Sequence, residues 1–307
     1  MCFIGAGVDV SKAFLDVAVH GEKAVKRFTN DGAGLAQMAA WFGPWNLQQV
    51  VLEATGGYEQ AALDGLYALG LPMVRINPRQ VRDFAKATGQ LAKTDRLDAR
   101  VLAHMASVLP LIAYRPLDAK ASRLKPFHQR RGHLIQMISA EKQRRRQITE
   151  PTLRAMLEEN IRRLEVDRDQ LDAVISEQIA GTLQHRVLGS IKGVGQGLLT
   201  AVICDMPELG YLHRKSAAKL YGMAPLSRDS GTFKGQRTTW GGRAAPRVAM
   251  YMATLSAVRY DPSLRAFYQG LLARGKLKKV ALVAAMRKLL TILNARMREA
   301  IAAHPNG

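Results

Sequence analysis

Two apolar runs joined by a short polar step constrain the start of this chain most. FIGAGVDV (3–10) and AFLDVAV (13–19) alternate in the manner of strands, and Ser11-Lys12 between them reads as a hairpin-like connection. AVKRFT (24–29) supplies a third strand and GLAQMAAWF (34–42) a helix. QQVVLEA (48–54) is short, apolar and rich in valine, the pattern of a buried strand. GYEQAALDGLYALG (57–70) predicts a helix ending at Gly70, and PMVRIN (72–77) a strand closed by Asn77-Pro78. RQVRDFAKA and TDRLDARVLAHMA (94–106) predict further helices. An antiparallel-looking meander followed by alternating helices and strands implies an α/β sheet with helices on both faces.

The pattern changes after residue 115. Residues 118–184 are dense in charge and free of strand periodicity, and Ile161, Leu164, Leu171 and Ile175 recur at helical spacing. A coiled-coil-like helical hairpin fits, with Pro151 at the start of its second helix. It can serve as a spacer or oligomerisation arm, or grip nucleic acid through Arg144, Arg145 and Arg146. From residue 186 helices dominate again. Three segments are therefore expected, 1–115, 116–185 and 186–307.

Charge separates these segments. The formal net charge is +20, with +2 in residues 1–115, +3 in 116–185 and +15 in 186–307. So basic a C-terminal part points to a polyanionic partner, nucleic acid first; composition also admits a ribosome-like or membrane-surface protein. Cys2 and Cys204 form neither a metal-ligand spacing nor a disulfide framework, so a reducing cytoplasmic setting is expected. The N-terminus lacks the pattern of a signal peptide, and VALVAAMRKLLTIL is interrupted by Arg287 and Lys288, so no membrane partner is expected.

The chemistry-bearing residues are acids. In KTDRLDAR (93–100), Asp95 and Asp98 share a helix face if the segment is helical. They can favour the positive end of the helix dipole or ligate a divalent cation together. Asp9 lies inside an apolar strand and Glu53 ends another, positions that are costly for a carboxylate unless it is paired or metal-bound. Acids on a first strand, a later neighbouring strand and a closing helix form the acidic cluster of a ribonuclease-H-like fold. Such hard oxygen ligands suit Mg²⁺ or Mn²⁺, and two ions of this kind support phosphoryl transfer. Lys93, Arg96 and Arg100 would then lie near the phosphate. Asp16 reads as structural or peripheral.

Two further stretches suit phosphate. Gly193-Val194-Gly195, beside Lys192 in LGSIKGVGQGLLTAVICDM, resembles the turn of a helix-hairpin-helix, which grips a nucleic-acid backbone through N–H groups. YGMAPLSRDSGTFKGQRTTWGGRAAPR (221–247) is glycine-rich and carries Arg228, Lys234, Arg237, Arg243 and Arg247 around Ser230. Composition alone does not make Ser230 a nucleophile, and no histidine stands near it in sequence to serve as its base.

VDVSK, LEATGGY, KTDRLDA, IKGVGQGLLTAVI, APLSRDSG and KKVALVAAMRKLLTILN together resemble the DEDD transposases of the insertion-sequence one-hundred-ten family, also described as bridge-RNA-guided recombinases. The resemblance runs through nearly the whole chain. It implies a RuvC-like domain, a coiled-coil linker and a mainly α C-terminal transposase domain. It implies that Asp9, Glu53, Asp95 and Asp98 are the metal-holding tetrad and Ser230 the nucleophile that forms a phosphoserine link to DNA. Donor and target DNA, a structured noncoding guide RNA and a tetramer assembled from dimers are the partners it implies.

Three rivals differ in what they require. A hydrolytic RuvC-like nuclease needs the acids but not Ser230. A nonenzymatic nucleic-acid scaffold needs only the basic part. A sugar-kinase or actin-like ATPase needs a second, similar nucleotide-binding domain, and the helical, basic second half argues against it.

Overall fold

The structure is a computed structural model that describes residues 4–90, 94–226, 229–230, 233–234, 238–239 and 241–304. It divides into two compact units, Met1–Pro116 and Leu117–Gly307. Among the described residues no helix is long and apolar enough to cross a membrane.

The first unit runs β1 (Gly5–Val10), β2 (Phe14–Val19), β3 (Val25–Thr29), α1 (Gly32–Phe42), β4 (Gln49–Glu53), α2 (Glu59–Ala68), β5 (Met73–Ile76), α3 (Pro78–Ala87) and α4 (Asp95–Val108). Its five strands form one mixed sheet in the order β3-β2-β1-β4-β5. β1 pairs antiparallel with β2 and parallel with β4. Alternation along the strands sorts their side chains between two cores. Val8, Leu15, Val17, Val50 and Leu52 pack with Leu35 and Met38 of α1 and Leu63 and Leu66 of α2. On the other face Val51, Val74 and Ile76 pack with Val81 of α3 and Val101, Leu102 and Met105 of α4. The expected α/β sheet with helices on both faces is observed.

Two glycines decide how closely α4 lies on β1. A Cβ at Gly7 would stand 2.3 Å from both Ala103 N and Ala99 O, and one at Gly5 2.6 Å from Ala106 C. Only hydrogen fits there, so helix backbone rests on strand backbone. The far end of α4 is pinned by buried Gln49, whose Nε2 donates to Ala106 O and Leu109 O, both at 2.9 Å. These bonds satisfy carbonyls that a helix C-terminus leaves without partners.

The second unit is mainly helical. α5 (Ala119–Gln147) and α6 (Pro151–Ile179) form the expected hairpin, with Leu134 and Ile138 packed on Leu164 and Leu171. Glu150 caps α6 by accepting from Leu153 N at 2.6 Å, and Pro151 occupies its first turn. α7 (Leu183–Leu188), α8 (Gln196–Asp205), α9 (Arg214–Leu220), α10 (Ala244–Tyr260), α11 (Pro262–Ala273) and α12 (Lys278–Ala303) follow. Ala121 and Leu124 of α5 and Ile175 and Ile179 of α6 enter the same core as Val202, Met250, Leu289 and Leu293. The open end of the hairpin is thus built into the helical body. Between α9 and α10, among the described residues, four two-residue strands appear, β6 (Pro225–Leu226) paired with β9 (Thr238–Thr239) and β7 (Asp229–Ser230) paired with β8 (Phe233–Lys234).

Candidate active site

Register sets the acids of the first unit on one face of the sheet. Val8 pairs with Leu52 across β1 and β4, so the next step sets Asp9 beside Glu53. Neighbouring strands lie about 4.8 Å apart, and residues level on them project to the same face. Asp9 follows Gly5 and Gly7 at alternate positions, so it faces α4. α4 descends along β1 from Ala106 at Gly5 to Ala99 and Ala103 at Gly7. Two strand residues advance about 6.6 Å, which is four to five helix residues. Continuing that step sets Asp9 opposite the first turn of α4, where Asp95 and Asp98 stand. Thr94 fixes where the helix begins, its Oγ1 accepting from Leu97 N at 3.3 Å while its carbonyl accepts from Asp98 N at 2.8 Å. Asp9, Glu53 and Asp98 are each half-buried.

A further acid lies in the same row. Asp16 is directly opposite Asp9 across β1 and β2, and like charges so placed repel. Asp16 is 5% exposed and forms a two-point bond with Arg27 of β3, Nε to Oδ1 at 3.0 Å and Nη2 to Oδ2 at 2.7 Å. The guanidinium neutralises it, which makes Asp16 structural.

Carboxylate oxygens alone are the donor set that Mg²⁺ and Mn²⁺ prefer, so Asp9, Glu53 and Asp98 fit such an ion by chemistry and by side of the sheet. Among the described residues no three Asp, Glu, His or Cys side chains lie close enough together to hold a metal ion. The side chain of Asp95 lies outside the described residues. So do Lys93, Arg228 and Arg237 and the side chains of Ser230 and Lys234. For Ser230 the backbone alone is placed, in β7 opposite Phe233.

The cationic candidates divide by partner. Arg96 is exposed, and Arg100 is exposed with its Nη2 donating to Lys23 O at 2.6 Å. Arg144 pairs with Glu141 at 2.6 Å and Arg145 with Glu158 at 3.8 Å, while Arg146 lines a shallow groove with Ile135, Ile138 and Arg168. Arg243 points inward. It meets Glu208 at 2.8 and 2.5 Å and donates to Asp205 O at 3.0 Å. Its side chain is 22% exposed and that of Glu208 4%. Burial opposes its charge, but the bonds to Glu208 more than offset this and raise its pKa. Its guanidinium is thus committed to an internal pair, contrary to its expected place among the nucleic-acid contacts. Arg247 donates from Nη1 to Gly241 O at 2.7 Å and braces the glycine turn before α10.

The Gly-x-Gly turn does connect two helices, α7 and α8. Gly193 has φ +95°, and a Cβ there would lie 2.5 Å from the Ala257 Cβ, so this glycine serves close packing on α10. Gly195 caps α8, its carbonyl accepting from Leu198 N and Leu199 N at 3.1 Å. Lys192 beside them is exposed.

Two residues that organise the surroundings were not expected from sequence. Asn30 and Glu59 hydrogen-bond to the loops that leave β1 and β4. Glu59 follows Thr-Gly-Gly-Tyr directly, and an acid just past a glycine turn is a signal for backbone N–H capture.

The class of protein that joins this acid-bearing α/β unit to a strongly basic helical unit comes from the family comparisons. A DEDD transposase model of the IS110 type matches residues 6–152, and a model described as Transposase IS116/IS110/IS902 family matches residues 185–269. The chain is a DNA transposase and recombinase. It belongs to the IS110 family. The pilin gene-inverting protein of Moraxella bovis is 26% identical to it over 308 residues, covering 95% of both chains. The uncharacterized 42 kDa protein of insertion element IS900 from Mycobacterium paratuberculosis is 30% identical over 160 residues, 50% of this chain and 39% of that one.

Proposed function

We propose that the first unit is a ribonuclease-H-like, RuvC-like domain whose Asp9, Glu53, Asp95 and Asp98 hold Mg²⁺ or Mn²⁺, and that Ser230 attacks the DNA strand. The observation that carries this is the convergence of Asp9, Glu53 and the first turn of α4 on one face of the sheet at one level. The mixed strand order β3-β2-β1-β4-β5 supports the fold reading. Residues 1–115 act as the metal domain, 116–185 as a helical linker and 186–307 as the serine-bearing transposase domain.

A bound divalent cation supplies Lewis-acid stabilisation of charge on phosphoryl oxygens. The chain's own part is to hold those carboxylates ionised and at fixed spacing, with Asp16 already neutralised by Arg27. Lys93 and Arg96 beside the acids orient the phosphate. In the attack the Ser230 Oγ–P bond replaces one P–O bond of the strand, and the displaced strand oxygen takes up a proton as the serine loses one. The phosphodiester energy is retained in the phosphoserine link, so rejoining needs no ATP. A structured guide RNA selecting donor and target DNA, a tetrameric assembly and a cytoplasmic location belong to the same reading. The name of the Moraxella relative, a gene-inverting protein, supports strand exchange over simple cutting.

The test is a search for covalent protein–DNA adducts on denaturing gels. The protein is co-expressed with the noncoding DNA flanking its gene and supplied with Mg²⁺ and element-junction DNA. Wild type is compared with Ser230→Ala and Asp95→Ala. An adduct requiring both residues is expected. Cleavage without an adduct that needs Asp95 and not Ser230 would instead identify a hydrolytic nuclease.

A further inference from the structure

The loops that leave the two acid-bearing strands are tied together from outside the acid row. Asn30 Nδ2 donates to Ser11 O at 3.0 Å in the turn after β1 and to Tyr58 O at 3.3 Å in the loop after β4. That second loop is held again from below. Glu59 is 5% exposed, and its Oε2 accepts from Thr55 N at 3.1 Å and Gly57 N at 2.8 Å. A carboxylate taken out of water is costly unless bonded, and here the loop's own backbone supplies the bonds. Gly56 and Gly57 have φ +73° and +115°, which side-chain-bearing residues rarely adopt, although a Cβ at either would meet nothing within 4 Å. The glycines serve the loop's path and leave its outer side open.

Out of this fixed loop Tyr58 emerges 53% exposed. The turn on the other side of Asn30 carries exposed Lys12, and, two residues on, β2 opens with Phe14, 43% exposed with the Arg27 guanidinium 5.4 Å from its ring centre. Exposed Tyr58, Phe14 and Lys12, at the ends of the two acid-bearing strands, match one ligand class: a phosphate-linked strand with flat, stackable faces. A duplex hides those faces, whereas an unpaired base offers one.

We propose that Tyr58 stacks on an unpaired base of the DNA strand at the acid row, with Glu59 and Asn30 as positioning residues. This rests on reading that row as the strand-cutting site. The fixed backbone lowers the ordering cost of the contact, since the ring has few torsions left to restrict.

The test is crosslinking in chelator. Full-length protein, co-expressed with the noncoding DNA flanking its gene, is mixed with element-junction DNA carrying iododeoxyuridine in place of thymine, irradiated, digested and mapped by mass spectrometry. The expected crosslink falls in the peptide containing residue 58, persists in Tyr58→Phe and disappears in Tyr58→Leu. Crosslinks confined to other peptides, or unchanged in Tyr58→Leu, overturn the proposal. In a parallel Mg²⁺ reaction Tyr58→Leu should cut the junction at least fivefold more slowly, the low end for one lost base–aromatic stack. A wild-type rate would overturn the stacking role. Asp98→Asn run alongside separates the two ideas: if it cuts like wild type, the strand-cutting reading itself fails, whatever Tyr58 does.

Discussion

Replacing Gly7 with alanine tests how the fold builds the site. The added Cβ would lie 2.3 Å from Ala103 N and Ala99 O, both backbone atoms of α4 that no rotamer change can move. Ordinary contact begins near 3.5 Å, so the helix must retreat by roughly 1 Å. Overpacking of this kind costs about 1–3 kcal/mol, and rigid neighbours place it at the upper end. For a domain of this size such a loss lowers Tm by on the order of 10 °C. The displaced helix also carries Asp95 and Asp98 away from Asp9 and Glu53, and a misplacement of about 1 Å can cost roughly 100-fold in rate. Melting by circular dichroism and junction cleavage at a temperature where the variant stays folded, with saturating Mg²⁺, read the two effects separately. Gly32→Ala is the control, because a Cβ there meets nothing within 4 Å. A Gly7→Ala protein that melts and cuts like wild type would refute both the seating of α4 and its part in assembling the acids.

Asp98→Asn should abolish strand cleavage while leaving junction-DNA binding, measured by anisotropy, within about twofold of wild type, since one charge among so many barely alters the polyelectrolyte attraction. Arg243→Met strands Glu208, whose side chain is 4% exposed, and should lower stability by about 3–5 kcal/mol in urea titration, with Arg243→Met/Glu208→Met recovering much of it. Stability should also depend on His20. Burial first, and the charge of His104 second, hold its pKa below 6.5. The unfolded chain therefore binds the proton more readily, so stability is full above pH 6.5 and declines as pH falls below it. A His20→Gln protein should show a smaller loss of urea midpoint between pH 7.5 and pH 5.5, and an equal loss would rule out His20 as its source.

The strands of the first unit were legible because each carries a local signal. QQVVLEA is too short for a helix and too apolar for a loop, and Thr94 marks the start of α4 with a capping hydroxyl. The seating of α4 on Gly5 and Gly7 was not legible, since a strand glycine signals close approach without naming what approaches. Arg243 misled for a related reason. Among so many basic residues it reads as surface, yet Asp205 and Glu208 are two of only five acids after residue 185, and both are paired inside the unit, Glu208 with Arg243 and Asp205 with His128. Sparse acids in a basic segment are the ones to suspect of internal pairing. The two-residue strands around Ser230 escaped because so short an element carries no periodicity.

The carboxylate row and most of the positive charge occupy different units, and that division has a physical basis. A row of carboxylates repels a strand of phosphates. The first unit limits the conflict by neutralising Asp16 with Arg27, so that Asp9 and Glu53 are not crowded by a third buried charge. It stays near neutrality overall, and nearly all of the +20 lies after residue 115. Attraction to DNA is thus expected mainly from residues outside the acid-bearing unit. Removing an acid then leaves binding in place, and removing a cation from the second half reduces binding and its salt slope without altering the carboxylate row. A protein built with its basic residues packed around the acids would lose both properties together.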